Sequence, residues 1–322
     1  MPPMVTLPAS IRADAGATAA GPGRETFPPP PRCRGMRSLT KTLLTTTALA
    51  AALAPAASAD SLVAAAPGAR HLTGAGGYLA WSSPTPDGQW RLTLRAADGT
   101  VSQPDVPPFA QAPRPAIGSV LDGTSKRLVA VYVRDGDVYE LDLGTSAERR
   151  VPRLSTAAQE TLVAVNYGRY VVARTGSRGG LFAYGRTGRA MRLTTVVPSE
   201  LAMAYSRVAT VEGTGSARRV VVRRLSGRGR ELVAGKGLVA PNSLWLTRYR
   251  AGWATSNAQV GTRLYATKRF AGSGGPFTLQ VVRDAWTSRS ALSGIAVERG
   301  NPALYLDSEG VKSFAPQPFH GV

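Results

Sequence analysis

Few side chains in this chain are suited to acid–base or nucleophilic chemistry. There are two histidines, His71 and His320, and one cysteine, Cys33, in 322 residues. Neither histidine lies beside a nucleophile motif such as Gly-x-Ser-x-Gly. Two histidines and one cysteine are also too few ligands for a Cys/His zinc site. The sequence therefore predicts no catalytic residue, no metal site and no cofactor, and His71 is interpreted as a surface or packing residue.

Carboxylates are the remaining candidates, because two acidic side chains on different strands can together cleave a glycosidic bond. Glu212 and Glu298 follow apolar runs and could face a central channel. Asp135, Asp137 and Asp307 occur in glycine-containing segments, where aspartate is favoured because its side chain hydrogen-bonds the backbone of a turn. No spacing selects an acid–base pair, so hydrolysis is an alternative and not the main prediction.

The densest cationic cluster consists of six arginines: Arg218, Arg219, Arg223, Arg224, Arg228 and Arg230. Side chains alternate along a strand, so Arg219 and Arg223 should share one face while Arg218 and Arg224 share the other. Arginine on both faces predicts a strand at the outer rim of its sheet. Such a cluster could contact an anionic surface polymer or lipid headgroups, or it could be a solvated edge whose charge discourages pairing between sheets.

The whole chain is basic, with 39 Lys and Arg against 20 Asp and Glu and a formal net charge of +19. A basic surface attracts anionic polymers through its summed field, whichever polymer is present. The partners predicted are a protein or an anionic cell-envelope polymer. Nucleic acid is not predicted, because the sequence shows neither a recognition helix nor an aromatic stacking platform.

Residues 36–59 have the order of a secretory signal peptide. Arg37 and Lys41 precede a short apolar run over 43–53, and Ala57-Ser58-Ala59 supplies the small residues of a cleavage site after Ala59. The run is too short to span a bilayer, and no later run is long enough, so no integral membrane segment is expected after cleavage. We therefore expect a secreted or extracytoplasmic product; a retained amphipathic anchor is the alternative.

The segment boundaries follow from this assignment. Residues 1–35 are predicted to be a disordered leader, or translation begins at Met36; residues 60–315 form the folded domain; residues 316–322 are a C-terminal tail. Cys33 precedes the apolar run, so it cannot be the lipid-bearing cysteine of a lipoprotein.

From residue 75 onwards the chain repeats one unit, a short apolar run followed by a glycine turn and a second apolar run. The turn glycines recur about every 44 residues; they are Gly88, Gly136, Gly179, Gly215, Gly261 and Gly310. Each run has the length and the Val, Leu, Tyr and Thr content of a strand. No segment beyond residue 59 shows a sustained helical stripe.

This period, with room for four strands in each unit, is typical of a β-propeller. The prediction is an all-β, six-bladed propeller of four-stranded antiparallel blades. The last unit lacks an outer strand, and the stretch over 61–66 could supply it, so we expect an N-terminal strand to close the ring and remove an open sheet edge. Two stacked antiparallel sheets are the alternative.

The turns Asp87-Gly88 and Asp135-Gly136 within these units resemble the repeats of TolB-type and WD-like propellers of secreted bacterial proteins. Thr85-Pro86-Asp87-Gly88 is closest to the Ser-Pro-Asp-Gly form of that repeat. The resemblance covers roughly residues 62–315 and implies a rigid interaction scaffold. The function predicted is an exported, non-catalytic scaffold that binds a macromolecular or cell-envelope ligand at one end of the ring. The alternative is a propeller hydrolase that uses channel carboxylates on a polysaccharide or peptide; the oligomeric state is left open.

Overall fold

The computed structural model describes residues 60–227, 232–236, 239–257, 261–267, 279–286, 292–298 and 301–314. The predicted leader (1–35), signal peptide (36–59) and tail (316–322) lie outside the described residues, and so do Cys33, Arg228, Arg230 and His320.

The all-β prediction is confirmed. The described residues form 24 strands and one 3-10 turn at Gly215–Ala217, and no α-helix occurs among them. The same part of the chain contains no helix with the length and hydropathy needed to cross a membrane.

Four of the five sheets contain four antiparallel strands that are hydrogen-bonded in chain order. Sheet 2 contains β6 (Ala116–Asp122), β7 (Ser125–Arg134), β8 (Asp137–Asp142) and β9 (Glu148–Arg150). Sheet 3 contains β10 (Glu160–Asn166), β11 (Arg169–Arg174), β12 (Gly180–Tyr184) and β13 (Ala190–Thr194). Sheet 4 contains β14 (Glu200–Ala204), β15 (Arg207–Glu212), β16 (Arg219–Arg224) and β17 (Leu232–Lys236). Sheet 5 contains β18 (Trp245–Leu246), β19 (Ala251–Asn257), β20 (Gly261–Thr267) and β21 (Leu279–Trp286).

Sheet 1 has eight strands and joins the two ends of the described chain. Its N-terminal strands are β1 (Ser61–Ala65), β2 (Arg70–Ala75), β3 (Tyr78–Pro84), β4 (Trp90–Arg95) and β5 (Val101–Ser102). Its C-terminal strands are β22 (Gly294–Glu298), β23 (Asn301–Leu306) and β24 (Gly310–Ser313). The order is β1-β24-β23-β22-β2-β3-β4-β5. One parallel pair, Leu72 opposite Gly294, joins β2 to β22, and β1 pairs with β24 so that Ser61 lies opposite Ser313.

The six hairpins expected from the repeat occur as the pairs β3–β4, β7–β8, β11–β12, β15–β16, β19–β20 and β23–β24. The Asp135-Gly136 turn has positive φ at both residues (53° and 80°), as a tight two-residue hairpin requires. The apolar stretch over 151–154 is not the outer strand of sheet 2. The strand is Glu148–Arg150 instead; Pro152 has no N–H to donate to a ladder, and the backbone turns there with Leu154 N–H donating to Val151 O at 3.0 Å.

The hydrophobic core lies between successive groups of strands. These groups are sheets 2 to 5 and, within sheet 1, the strands β2–β5 and the strands β22–β24 with β1. Val129 and Val131 of β7 pack with Val163 and Val165 of β10, in a cluster that joins sheet 2 to sheet 3. Five further clusters join the other successive groups in the same way. One of them brings Leu72 beside Leu306, and thus joins β2 and β3 to β23 and β24.

The first strands of all these groups face a common cavity of about 150 Å³, here called the central channel. Its lining residues come from β2, β6, β10, β14, β18 and β22 and their flanks, and most of their side chains are apolar, as at Ile117, Val165 and Ile295. The groups of strands are therefore arranged around one axis.

Gly118 shows how closely neighbouring first strands approach at the channel. A Cβ at this position of β6 would overlap the carbonyl oxygen of Val165 on β10 and lie 2.8 Å from its carbonyl carbon. The contact is with backbone, so it cannot be relieved by a rotamer change. We expect Gly118→Ala to lower the free energy of unfolding by about 1–3 kcal/mol, the usual range for overpacking.

Urea denaturation would measure this loss, with Gly185→Ala as the matched control. A Cβ at Gly185 would come no closer than 3.9 Å to its neighbour, the Thr187 hydroxyl. Equal stability of the two variants would contradict the close approach of β6 and β10.

Candidate functional site

Two of the three aspartates predicted to lie in turns, Asp135 and Asp307, do so, whereas Asp137 is the first residue of β8. Asp137 forms an ion pair with Arg150 at 2.8 Å across the β8–β9 pair. Asp307 is buried and accepts hydrogen bonds from the backbone N–H of Glu309 (2.9 Å) and of Gly310 (3.2 Å). Asp135 lies at the left-handed position of its hairpin. The Asp307 side chain shapes its turn, which accounts for an aspartate at this position.

Glu212 does not face the central channel, and that prediction is wrong. It lies at the end of β15, is only 1% exposed, and forms ion pairs with Arg223 and, at 3.2 Å, with Arg219 of β16. Arg219 and Arg223 therefore share a face, as predicted. The strand is not at the rim of its sheet, however, because β16 pairs with β15 on one side and with β17 on the other. The Glu298 side chain lies outside the part of the structure that is described.

One end of the channel, here called the mouth, carries a polar cluster made of His71, Arg114, Glu200 and Asn242 around a cavity of about 80 Å³. His71 was interpreted as a surface or packing residue, but it is half-buried with a left-handed backbone (φ 61°). Burial and the charge of Arg114 lower its pKa to about 4, while a side-chain hydrogen bond with Asn242 acts in the opposite direction. The imidazole is therefore neutral at pH 7.

The other members of the mouth cluster tie strands together across the channel. Arg114 Nη1, before β6, donates to the backbone carbonyl of Ser199, before β14. Glu200 accepts from the backbone N–H groups of Asn242 (2.8 Å) and Leu244 (3.2 Å), which lie at the start of sheet 5. Burial raises the pKa of Glu200. Among the described residues that line the mouth, Glu200 is the one carboxylate, whereas most glycosidases use a pair of carboxyl groups.

A basic cavity lies between sheets 3 and 4, and it is here called the arginine groove. Its volume is about 880 Å³, and four guanidinium-bearing residues line it: Arg169, Arg189, Arg207 and Arg224. The described lining is completed by hydroxyl, small and apolar side chains, among them Thr187, Ser206, Ser226 and Met191, and it includes no carboxylate. Such a lining favours an anionic ligand, because guanidinium groups bind carboxylate, sulfate and phosphate in a bidentate manner.

Strand register places the arginines of the groove together. Arg207 begins β15 and Arg224 ends β16, and the two residues lie directly opposite in the ladder. Like charges in this position destabilise a sheet. Burial and the Arg224 charge lower the pKa of Arg207. Arg169 begins β11 and Arg189 immediately precedes β13, so both reach the groove from sheet 3.

Arg224 belongs to the arginine cluster visible in the sequence, whereas Arg169, Arg189 and Arg207 were not predicted as site residues. A signal was available, because Tyr167-Gly168-Arg169 and Tyr205-Ser206-Arg207 repeat one Tyr-small-Arg pattern. Each triplet follows the first strand of its sheet, and its arginine begins the second strand.

No protein-family model and no curated protein matches the chain. Among solved structures, the tricorn protease aligns with 80% of this chain and 26% of its own chain, at 12% identity and a TM-score of 0.52. The fold is a β-propeller.

Two further matches are peptidases with lower TM-scores. A puromycin-hydrolyzing peptidase of Mycobacterium tuberculosis aligns over 68% of this chain and 39% of its own, at 15% identity and a TM-score of 0.44. A structure from a study of two prolyl endopeptidases aligns over 71% of this chain and 38% of its own, at 14% identity and a TM-score of 0.40. This chain thus spans well under half the length of all three. The TolB-type and WD-like resemblance is supported as far as the propeller fold and no further.

In the described residues, no group of three or more His, Cys, Asp or Glu side chains is placed to hold a metal ion. The chemistry that the described sites offer is thus of two kinds. The mouth cluster joins strands across the channel, and the arginine groove presents cationic hydrogen-bond donors to an open cavity.

Proposed function

We propose that this protein is an exported, non-catalytic, six-bladed propeller that binds an anionic cell-envelope polymer in the arginine groove. The export part of the proposal rests on the signal-like order of residues 36–59. The binding part rests on one observation, the 880 Å³ cavity whose described lining has four arginines and no carboxylate.

Three observations support six blades in a closed ring. Six hydrophobic clusters each join successive groups of strands. First strands from six groups line one channel. The first described strand, β1, pairs with the last, β24, and Ala66 N–H donates to Glu309 O beside this pair. Sheet 1 is then two blades joined edge to edge by the single bridge between Leu72 and Gly294.

Hydrolysis of a polysaccharide or peptide is the alternative function. The tricorn protease is among the similar structures, but at 12% identity this match shows the fold alone. The described mouth has one carboxylate, Glu200, and that side chain is occupied by two backbone N–H groups. Binding without cleavage is therefore the function that the described geometry supports better.

The binding site can be tested with the variant Arg207→Gln/Arg224→Gln, titrated with polyphosphate at low and high salt. We expect its Kd to rise at least tenfold, because two guanidinium groups that converge on one cavity are lost. Wild-type binding should weaken with salt, since exposed charges are screened.

The matched control is Arg91→Gln/Arg178→Gln, which removes the same charge from two exposed arginines that do not line the groove. Its Kd should stay within twofold of wild type. An equal loss in both variants would mean that the net charge attracts the polymer without a site. Chromatography of envelope polymers and peptides after incubation tests the alternative, because shortened products would indicate hydrolysis.

A further inference from the structure

A row of exposed tyrosines lies beside the arginine groove, in the turns that follow the first strands of sheets 3, 4 and 5. This tyrosine arc consists of Tyr167, Tyr205 and Tyr249, whose exposed fractions are 37%, 46% and 41%. The ring centroids of Tyr167 and Tyr205 are 5.9 Å apart, and the two ring planes are inclined to each other by 41°. Large aromatic side chains exposed together on a soluble surface commonly mark a binding site.

Two of these tyrosines have backbone conformations that are costly for a bulky residue. The φ angle is 50° at Tyr167 and 52° at Tyr205, in the left-handed region that Gly or Asn adopts more easily. Burial does not explain a tyrosine at either turn, since both rings are exposed. Strain retained at an exposed aromatic residue is a typical feature of functional sites.

Cationic side chains contact the tyrosine rings along the whole arc. Lys126 Nζ lies 5.0 Å from the Tyr167 ring centroid. The Arg248 guanidinium lies 5.3 Å from the Tyr205 centroid and 5.4 Å from the Tyr249 centroid. These cation–π contacts hold the rings in place before a ligand arrives, which reduces the entropy lost on binding.

The tyrosine arc and the arginine groove are parts of one surface. Tyr167 and Tyr205 lie in the turns before β11 and β15, and each is two residues before the groove arginine that begins the strand, Arg169 or Arg207. A ligand seated on the arginines of sheets 3 and 4 therefore lies next to two aromatic rings. A simple anion would use only the guanidinium groups, so this arrangement fits a ligand that has both acidic groups and apolar faces.

We propose that the ligand of this surface is an acidic polysaccharide, with its acidic groups on the arginine groove and its sugar rings packed against the tyrosine arc. The C–H faces of a sugar ring are apolar and pack on an aromatic face, while its carboxylates or sulfates accept hydrogen bonds from guanidinium. This inference rests on the proposed function and deepens it by naming the class of polymer.

The test uses the full chain and calorimetric titration with five probes: oligogalacturonate, polyphosphate, neutral dextran, polyglutamate and a single-stranded oligonucleotide. The decisive variant is Tyr167→Asn/Tyr205→Asn, because asparagine tolerates positive φ and the substitution removes the rings without adding strain. Val101→Asn is the control, since Val101 is 51% exposed on β5 of sheet 1. Circular dichroism establishes that each variant is folded.

We expect the tyrosine variant to bind oligogalacturonate at least tenfold more weakly than wild type and to bind polyphosphate within twofold of wild type. The variant Arg207→Gln/Arg224→Gln should weaken the binding of both probes, and dextran should bind least. An unchanged affinity of the tyrosine variant for oligogalacturonate would overturn the inference. Tighter binding of polyglutamate would overturn it in favour of a protein partner, and tighter binding of the oligonucleotide in favour of base stacking.

The same titrations test the proposed anionic site separately from the polysaccharide inference. Binding of polyphosphate that depends on Arg207 and Arg224, without binding of oligogalacturonate, would overturn the polysaccharide inference and leave the anionic site in place. Binding of every probe that is insensitive to both arginines, or binding of none, would overturn both.

Discussion

The variant Ser61→Cys/Ser313→Cys should form a disulfide that stabilises the protein by roughly 5 kcal/mol, the order given by the chain-entropy model for a loop longer than 100 residues. Ser61 and Ser313 lie opposite each other in the β1–β24 pair, and their hydroxyl oxygens are 2.7 Å apart. The positions are separated by 252 residues in sequence, so the cross-link would constrain almost the whole unfolded chain.

This prediction tests closure of the ring by the N-terminal strand. The full chain would carry Cys33→Ser, so that the two new thiols are the only ones present. Guanidinium denaturation with and without a reductant gives the difference in the free energy of unfolding, and mass spectrometry gives the extent of oxidation. The off-register pair Ala65→Cys/Ser313→Cys is the control, because Ala65 lies opposite Gly310. Failure of the 61–313 pair to oxidise in the folded protein would contradict the closure.

The variant Glu212→Ala should lower the free energy of unfolding by about 3–5 kcal/mol, the usual loss when one partner of a buried ion pair is removed. Glu212 is 1% exposed and Arg223 is 5% exposed, and the hydroxyl of Thr210 lies 3.1 Å both from the Glu212 carboxylate and from Arg223 Nη1. Without the carboxylate, the guanidinium charge of Arg223 stays buried and loses its main counter-charge.

The matched control removes both charges. The variant Glu212→Leu/Arg223→Met should be close to wild type in stability, because apolar replacements of a buried pair are often neutral. Urea denaturation of Glu212→Leu, Arg223→Met and the double variant completes a double-mutant cycle. A loss below 1 kcal/mol for Glu212→Ala would show that the pair is not buried as described.

Local sequence patterns were sufficient to predict most of the strands. The hairpins depend on short apolar runs separated by glycine turns, and these features act within a few residues. Strands β2 and β14 were not foreseen. Strand β14 reads Glu-Leu-Ala-Met-Ala, whose residues favour helices in isolation, and β2 includes the left-handed His71. Packing around the channel overrides these local preferences.

The candidate site was harder to predict because its parts come from different sheets. The arginine groove combines two arginines of sheet 3 with two of sheet 4: Arg169, Arg189, Arg207 and Arg224. No local sequence pattern predicts that these two pairs lie close together. The same limitation explains the error at Glu212. An apolar run before a carboxylate indicates a strand, but the pairing with β16 decides that the side chain meets Arg223 and not the channel.

Pairing of β1 with β24 has a kinetic consequence. The β1–β24 pair is here called the seam. Nearly every other pair joins strands that are neighbours in sequence, and such pairs can form while synthesis continues. The contact across 252 residues cannot form before Ser313 has been synthesised, so the sheet edge that pairs with β1 stays open until then. Refolding should therefore show a late, slow phase that belongs to this seam, as topologies rich in distant contacts do.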